Sequence, residues 1–232
     1  MNREERYKLA PGSSKHYTSY VGPPSQYDLK GAMQFRLLCS YGLRETHSLL
    51  DFGCGSLRAG RLFIPYLSPG NYFGIEPNKW LIDEAIKNEI GNDIVQIKKP
   101  NFFYNNDFSC SHVGKKFDFI LAQSICSHTG EDLIEKILSE FSNSIKDNGT
   151  IFITFLLSNQ RCDRKGWVYP ECVRHQEKTL VSYFKKNNFY FKKLKWWHNS
   201  QTWFILSKDA KNIPSDQENS KMTGNFLSRV SK

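Results

Sequence analysis

The chain alternates between short apolar runs and longer segments that carry apolar residues at helical spacing. Strand-length apolar runs lie at 48–52, 72–75, 117–122 and 151–157, and helical spacing occurs at 28–41, 57–67, 78–90 and 133–145. This alternation predicts a parallel sheet with helices on both faces. Two further segments, 94–97 and 102–104, also have the composition of strands.

The last third of the chain departs from this alternation. A polar loop at 158–172 and a predicted helix at about 171–186 precede two strand-like runs, 189–197 and 201–206, which three residues separate. Strands joined by so few residues are antiparallel, because a parallel pair needs a long crossover. The predicted sheet therefore ends in an antiparallel hairpin.

The length of 232 residues suits one α/β domain. We expect an N-terminal arm at 1–27, rich in tyrosine and with little regular structure, a domain at 28–208, and a polar C-terminal tail at 209–232. No apolar run approaches the roughly 18 residues of a membrane span, and the first residues do not resemble a signal peptide. These features predict a soluble, cytoplasmic protein.

Charge and cysteine content add two expectations. The net charge of +9 suggests a nucleic-acid partner, but the lysines occur as scattered doublets, which are typical of solvated faces and helix ends. A nucleic-acid partner is therefore not favoured. The six cysteines have no paired spacing, so we expect reduced thiols and no metal site.

The segment 48–60 has the pattern of a cofactor-binding turn. An apolar strand ends in Asp51, Gly53 and Gly55 follow, and Ser56 opens a helical pattern. Glycines let a ligand approach the backbone, and a helix N-terminus offers N–H donors. The alternative is a plain tight turn.

Glu76 favours the cofactor interpretation. It ends the second strand-like run, 25 positions after Asp51, where a βαβ unit places a carboxylate for the hydroxyls of a ribose. The alternative is an acidic residue at the start of the next helix. The glycine spacing is not the Gly-x-Gly-x-x-Gly of nicotinamide enzymes.

On these residues the chain resembles the class I S-adenosylmethionine (SAM)-dependent methyltransferases, over roughly 28–207. Residues 50–55 resemble the first motif of that family, Glu76 its ribose-binding acid, and 117–124 its fourth motif. The resemblance implies an α/β, Rossmann-like, doubly wound, mainly parallel seven-stranded sheet with an antiparallel C-terminal hairpin strand. It implies SAM as the cofactor and S-adenosylhomocysteine (SAH) as the product. Segments 55–61 and 74–80 also resemble a bacterial subgroup of uncharacterised or glycan-associated methyltransferases.

The resemblance predicts the following cofactor-binding residues: Asp51, Gly53, Gly55, Ser56, Glu76, Pro77, Asp107, Phe108, Gln123 and Ser124. Tyr20 joins this set if the arm folds over the cofactor with Tyr17, Tyr20 or Tyr27 reaching it; the alternative is an arm that braces the first helix. The fourth motif lacks the Asn/Asp-Pro-Pro-Tyr/Phe element of the family's nucleobase amino-methylases, which disfavours that acceptor class.

The acceptor side is predicted from residues that follow strands, where ligands of such sheets bind. His128 is the candidate general base, and its alternative role is that of a helix N-terminal residue donating to a carbonyl. The predicted substrate-binding residues are Trp167, Tyr169, Trp197, His198 and Arg58. Their alternatives are packing for the aromatic residues, a turn for His198 and an exposed helix position for Arg58.

With these residues, the resemblance implies a methyltransferase that acts on a small molecule or on a sugar of a glycan precursor, at oxygen or nitrogen, by in-line displacement. Two alternatives stay open: a SAM-binding protein without catalysis, and a basic nucleic-acid-binding protein or RNA methyltransferase. The oligomeric state is not predicted.

Overall fold

The structure is a computed structural model that describes residues 2–160 and 163–224. The chain divides into two compact units. The first comprises Met1–Cys110 and Tyr169–Glu171, and the second comprises Ser111–Val168 and Cys172–Lys232.

The first unit contains the N-terminal arm and three parallel strands. Its helices are α1 (Arg3–Tyr7), α2 (Tyr17–Tyr20), α3 (Tyr27–Ser40), α4 (Gly60–Tyr66), α5 (Lys79–Ala85), which continues as a π turn over Ile86–Ile90, and α6 (Asn92–Lys98). A short 3-10 turn, Pro24–Gln26, precedes α3. The strands β1 (Leu49–Phe52), β2 (Tyr72–Ile75) and β3 (Asn101–Phe103) pair in parallel in the order β3-β2-β1.

The second unit contains the other four strands, in the order β4-β5-β7-β6. Strand β4 (Phe117–Ala122) pairs in parallel with β5 (Ile145–Phe155), whereas β7 (Thr202–Ser207) runs antiparallel to both β5 and β6 (Tyr190–Lys193). The helices are α7 (Glu131–Ser144), α8 (Glu177–Lys186) and α9 (Asp216–Lys221), with 3-10 turns at Ser111–Val113, Cys126–His128 and Ala210–Asn212.

The predicted fold class is confirmed: the fold has a seven-stranded mixed sheet, mostly parallel, with antiparallel strands at its C-terminal end. Burial explains why the strands could be recognised in the sequence. All four residues of β1 and of β2 are buried, as are five of the six residues of β4, so these strands show as near-continuous apolar runs.

Three predicted elements are wrong in type or in starting residue. Residues 94–97 lie in helix α6, where Ile97 is 60% exposed, so the β-branched composition did not decide the structure. Helix α4 begins at Gly60 and not at Ser56, because Leu57 has φ 53°, which a right-handed helix excludes. Helix α8 begins at Glu177, because His175 is held extended by hydrogen bonds with Leu156 and Ser158.

Other boundaries shift by a few residues. Helix α3 begins at Tyr27, so Asp28 lies in its first turn and not at its cap. Strand β5 begins early, at Ile145, which pairs with Phe117 before a register shift. The arm is more regular than predicted, and the tail contains α9, which a Ser215–Glu218 capping box starts. Residues 225–232 of the predicted tail lie outside the described residues. Within the described ranges, no helix combines the length and the apolar character needed to cross a bilayer.

Candidate active site

The turn after β1 is built from residues with left-handed backbone. Gly53, Gly55 and Leu57 have φ values of 72°, 54° and 53°. The N–H groups of Gly53 and Cys54 both donate to the carbonyl of Ile75, at 2.9 and 3.1 Å. The turn is therefore tied to the end of β2, directly before Glu76.

Glu76 is a buried carboxylate held by three N–H donors. Its Oε2 accepts the Gly55 N–H at 3.1 Å, and its Oε1 accepts the Asn78 N–H at 2.9 Å and the Asn78 side-chain amide at 2.7 Å. Burial raises the pKa of Glu76, and the bonds from Asn78 and Gly55 lower it. Glu76 thus joins the glycine turn to Asn78, which occupies the N-cap position of α5. Glu76 itself precedes that position, so it is neither the N-cap nor a first-turn residue of the helix.

Asp51 lies at the end of β1 and is buried against Tyr72, whose hydroxyl donates to its Oδ2 at 2.8 Å. Burial raises the pKa of Asp51 to about 6, which the Tyr72 hydrogen bond and the Arg58 charge partly counteract. The carboxyl group of Asp51 is therefore bonded within the core of the first unit, and its pKa lies about one unit below neutral pH.

Ser56 and Arg58 lie in the turn that leads to α4, and both are buried. The Tyr27 hydroxyl donates to the Ser56 carbonyl at 2.6 Å. Arg58 donates from Nη1 to the carbonyl of Val21 at 2.8 Å, and burial lowers its pKa. The alternative that Arg58 is an exposed helix residue is therefore wrong, because it precedes the helix and is buried.

The N-terminal arm lies on this turn. Burial raises the pKa of the Tyr20 hydroxyl, the Glu76 carboxylate raises it further, and a hydrogen bond to Asn78 lowers it. A Cβ on Gly55 would lie 2.7 Å from Cγ1 of Val21, so the missing side chain makes room for the arm. The arm thus packs on the glycine turn, and Tyr20 bonds Asn78, whose side chain donates to Glu76.

The remaining arm tyrosines make structural contacts. The Tyr17 hydroxyl donates to Oε1 of Glu89 at 2.7 Å, and Tyr17 packs edge-on against Tyr27, with ring centroids 6.2 Å apart. Tyr169, predicted to bind the acceptor, belongs to the same unit and donates from its hydroxyl to the Tyr20 carbonyl. Tyr17 and Tyr27 match the brace interpretation, whereas Tyr20 bonds Asn78 beside Glu76.

Three other predicted cofactor residues lie at the surface or in a local turn. Pro77 and Asp107 are exposed. The Asp107 carboxylate accepts hydrogen bonds from Asn105 and from the N–H and hydroxyl of Ser109. Phe108, in the same turn, has φ 61°.

In the second unit, Gln123 and Ser124 directly follow β4 and belong to a polar cluster. One end of the Gln123 carboxamide lies 2.5 Å from Ser124 Oγ and 3.2 Å from His198 Nε2. Gln201 donates from Nε2 to Ser124 Oγ at 2.6 Å, and the Ser124 N–H donates to Thr154 Oγ1 at 2.9 Å. His198 accepts the N–H groups of Ser200 and Gln201 at Nδ1, at 3.2 and 3.0 Å.

His128 lies in the 3-10 turn before α7, one residue after Ser127, which Gln201 also contacts. Its backbone is fixed, because its N–H donates to Ile125 and its carbonyl accepts the Val168 N–H, both at 2.9 Å. Its ring packs against Trp167, with centroids 5.6 Å apart. Trp167 and Trp197 are 46% and 41% exposed, so each presents an aromatic surface to solvent.

Sequence reasoning missed several residues of these clusters: Val21, Tyr72, Asn78, Thr154 and Gln201. Asn78 had a detectable signal, since asparagine is common at the N-cap position of a helix, although its side chain here donates to Glu76 and makes no capping hydrogen bond. Thr154 and Gln201 had none, because a hydroxyl inside an apolar strand and an amide at a strand start are ordinary features.

Residues 50–151 match a protein family described as "Methyltransferase domain". The chain is also 32% identical over 111 residues to the Methanocaldococcus jannaschii protein MJ0906, which covers 46% of this chain and 27% of that protein. The match thus spans about a quarter of the length of that curated relative.

Solved structures share the fold at low sequence identity. Magnesium protoporphyrin IX methyltransferase from Synechocystis PCC 6803, with bound SAM, has a TM-score of 0.61 at 11% identity and covers 89% of this chain and 91% of that chain. DesVI of Streptomyces venezuelae has a TM-score of 0.58 at 13% identity, with coverage of 82% and 95%. The glycopeptide N-methyltransferase MtfA has a TM-score of 0.59 at 9% identity and covers 77% of this chain and 90% of that chain.

Proposed function

We propose that the chain is a class I SAM-dependent methyltransferase that transfers the methyl group of SAM to a small-molecule or sugar acceptor. The observation that carries this proposal is the buried Glu76 carboxylate, which the Gly55 and Asn78 N–H groups hold at the end of β2. Its Oε2 accepts one of these bonds, which leaves acceptor capacity for a ribose hydroxyl. The residues therefore fit the cofactor of this family.

When bound, SAM supplies an electrophilic methyl group, so the protein has to align the acceptor and exclude water. Glu76 would hold the ribose, and Gly53 and Gly55 would let the cofactor approach the turn. The buried Arg58 guanidinium would stabilise an anionic group near that turn, for which its charge is suited. Tyr20 would close the ribose end from the arm.

His128 is the proposed general base for an acceptor hydroxyl. Its fixed backbone and its contact with Trp167 support this role, because a base must be held within hydrogen-bond reach of the proton that it removes. Trp167 supports an acceptor with a flat apolar face, such as a sugar ring, since it is the partner of His128 and is half exposed.

The scattered lysines support a small acceptor over a nucleic acid. Among the described residues, Lys79, Lys146, Lys192 and Lys193 each lie within 2.6–2.9 Å of a carboxylate oxygen. Lysines paired in this way have less charge to offer to phosphates, which a nucleic-acid site needs in clusters.

Isothermal titration with SAM and SAH tests the cofactor role. We expect micromolar SAH binding to the wild type, at least tenfold weaker binding to Glu76→Gln, and unchanged binding to Glu45→Gln, which alters an exposed glutamate in the same unit. Absence of SAH binding at millimolar concentration would overturn the proposal.

A transfer assay with methyl-labelled SAM and a panel of hydroxylated, amino and glycosidic acceptors tests catalysis. Label transfer that is lost in His128→Ala, while SAH affinity is retained, supports the methyltransferase with His128 as base. SAH binding without transfer to any acceptor class favours the SAM-binding protein that does not catalyse.

A further inference from the structure

The 3-10 turn that carries His128 is held through its carbonyl groups. All three of them accept N–H groups from residues that follow β5: Ser127 from Val173 at 2.7 Å, His128 from Val168 at 2.9 Å, and Cys126 from the ring Nε2 of His175 at 3.1 Å. The first two bonds join backbone groups, which almost any residue could supply. The third comes from a side chain, so it depends on the identity of residue 175.

The ring of His175 acts as a donor and not as a base. A carbonyl oxygen only accepts, so Nε2 carries the proton, and in a neutral imidazole Nδ1 then carries the lone pair. Nδ1 is buried and has no hydrogen-bond partner among the described residues, so a second proton there would bury a charge without an acceptor. Burial lowers the pKa of His175 more than hydrogen bonds to the backbone of Cys126 and Thr129 raise it.

The position of this donor is fixed by the end of β5. The His175 N–H donates to the Leu156 carbonyl at 2.8 Å, and its own carbonyl accepts the Ser158 N–H at 2.9 Å. Its ring is fully buried and packs edge-on against Phe155, with ring centroids 6.2 Å apart. Backbone and ring are therefore both held, and Nε2–H has little freedom to leave the carbonyl that it bonds.

The Cys126 carbonyl is held from a second side as well. The buried Thr129 hydroxyl donates to the same oxygen at 3.3 Å. The Cys126 side chain adds no charge at neutral pH, because burial raises the pKa of its thiol to about 12. His128 follows two residues later, so a shift of this carbonyl would change the direction in which the His128 ring leaves the turn.

We propose that His175 is a positioning residue for His128 and acts through the Cys126 carbonyl. The inference rests on the proposed function, because His128 is the general base proposed there. A base accelerates transfer only while it lies within hydrogen-bond reach of the proton that it removes, so a turn that can shift lowers the rate of the chemical step.

Nitrogen-15 NMR of histidine-labelled wild-type protein tests the hydrogen bond without any ligand or variant. At pH 8 we expect the Nε2–H tautomer of His175, with Nδ1 unprotonated. A dominant Nδ1–H tautomer would overturn the proposal, because the Cys126 carbonyl would then face a lone pair. This measurement stands even if SAH does not bind, so it separates the inference from the proposed function.

Nuclear Overhauser effects between the rings of His128 and Trp167, whose centroids lie 5.6 Å apart, test the positioning step in the same ligand-free protein. His175→Phe fills the space of the ring but has no donor, so we expect these effects to be lost while the variant still unfolds cooperatively. His175→Gln keeps an N–H at a similar reach and should retain them. Wild-type effects in His175→Phe, or their loss in His175→Gln, would overturn the proposal.

The labelled-SAM transfer assay tests the consequence for catalysis. We expect His175→Phe to lower kcat by about tenfold with little change in the KM of the acceptor, because the base moves and the acceptor contacts remain. His175→Gln should restore most of the rate. His112→Gln, which alters an exposed histidine of the same unit, serves as control. A wild-type kcat in folded His175→Phe, or equal losses in the Phe and Gln variants, would overturn the positioning role.

Discussion

At the scale of single residues, Asp51 shows how a buried carboxyl group links the fold to pH. Burial raises its pKa from 3.8 to about 6, although the Tyr72 hydroxyl donates to it. Folding therefore favours the protonated form, and the stability associated with this group is lost as the pH rises from about 4 to about 6.

Asp51→Asn should remove this pH dependence, because the amide keeps an acceptor for Tyr72 and carries no charge. We expect the variant to exceed the wild type in unfolding free energy by on the order of 2 kcal/mol at pH 8, with a gain about 1 kcal/mol smaller at pH 5. Urea unfolding at both values measures it. The exposed Asp93→Asn serves as control, and an Asp51→Asn gain that is equal at both pH values would contradict the assignment.

At the scale of elements, the tyrosines of the N-terminal arm make two different sets of contacts. Tyr17 bonds Glu89, which also pairs with Arg61 at 2.9 Å, so this part of the arm fastens α4 and the π turn after α5. Tyr20 lies instead against Trp80, with ring centroids 5.5 Å apart, and its hydroxyl reaches Asn78 beside Glu76. The brace and the proposed cofactor cover are therefore neighbouring parts of one segment.

Two matched substitutions separate these two sets of contacts. Tyr17→Phe should lower the unfolding free energy by about 1 kcal/mol, the usual net value of one hydrogen bond, and leave SAH affinity unchanged. Tyr20→Phe should cost a similar amount of stability for its lost bond to Asn78 but, unlike Tyr17→Phe, should also weaken SAH binding several-fold, because its hydroxyl lies beside Asn78 at the proposed ribose end of the site. Thermal melts and SAH titrations of both variants measure this, and weaker SAH binding in Tyr17→Phe alone would contradict the division.

The arm and α6 also show where sequence reasoning reached its limit. Strands β1, β2 and β4 were predictable because burial on both faces leaves an apolar run. Segment 94–97 was not, since its β-branched residues lie in helix α6, which buries none of its residues and therefore leaves no burial pattern in the sequence. The arm's contact with Gly55 joins residues 34 positions apart in sequence, Val21 and Gly55, and no local pattern encodes such a contact.

The candidate site also contains residues whose positions the sequence predicts and residues whose contacts it does not predict. The positions of Asp51, Gly53 and Glu76 at or just after the ends of β1 and β2 were predictable from the apolar runs that precede them, and their cofactor role stays a prediction. The Gln123–His198–Gln201 network was not, because it depends on which nitrogen of His198 accepts and on the left-handed backbone of Ser124. Those properties belong to three-dimensional geometry.

At the scale of the whole molecule, ligand binding and folding are one linked equilibrium. A ligand that binds only the folded chain raises the unfolding free energy by about 2.7 kcal/mol at a hundred times its dissociation constant. For a chain of 232 residues this corresponds to a melting-temperature shift of roughly 5–10 °C. SAH should produce such a shift if Glu76 binds its ribose.

The size of this shift should itself depend on pH through Glu76. Burial raises the pKa of Glu76, so its carboxylate gains a proton at a higher pH than an exposed glutamate does and then loses acceptor capacity for ribose hydroxyls. We therefore expect the SAH-induced shift to shrink in the wild type as the pH falls from 8 into the acid range in which the protein is still folded. Asp51→Asn should keep this trend, and Glu76→Gln should show a smaller shift that is constant over the same range. Thermal melts with and without SAH measure all three, and a constant, full-sized shift in the wild type would show that Glu76 does not hold the ribose.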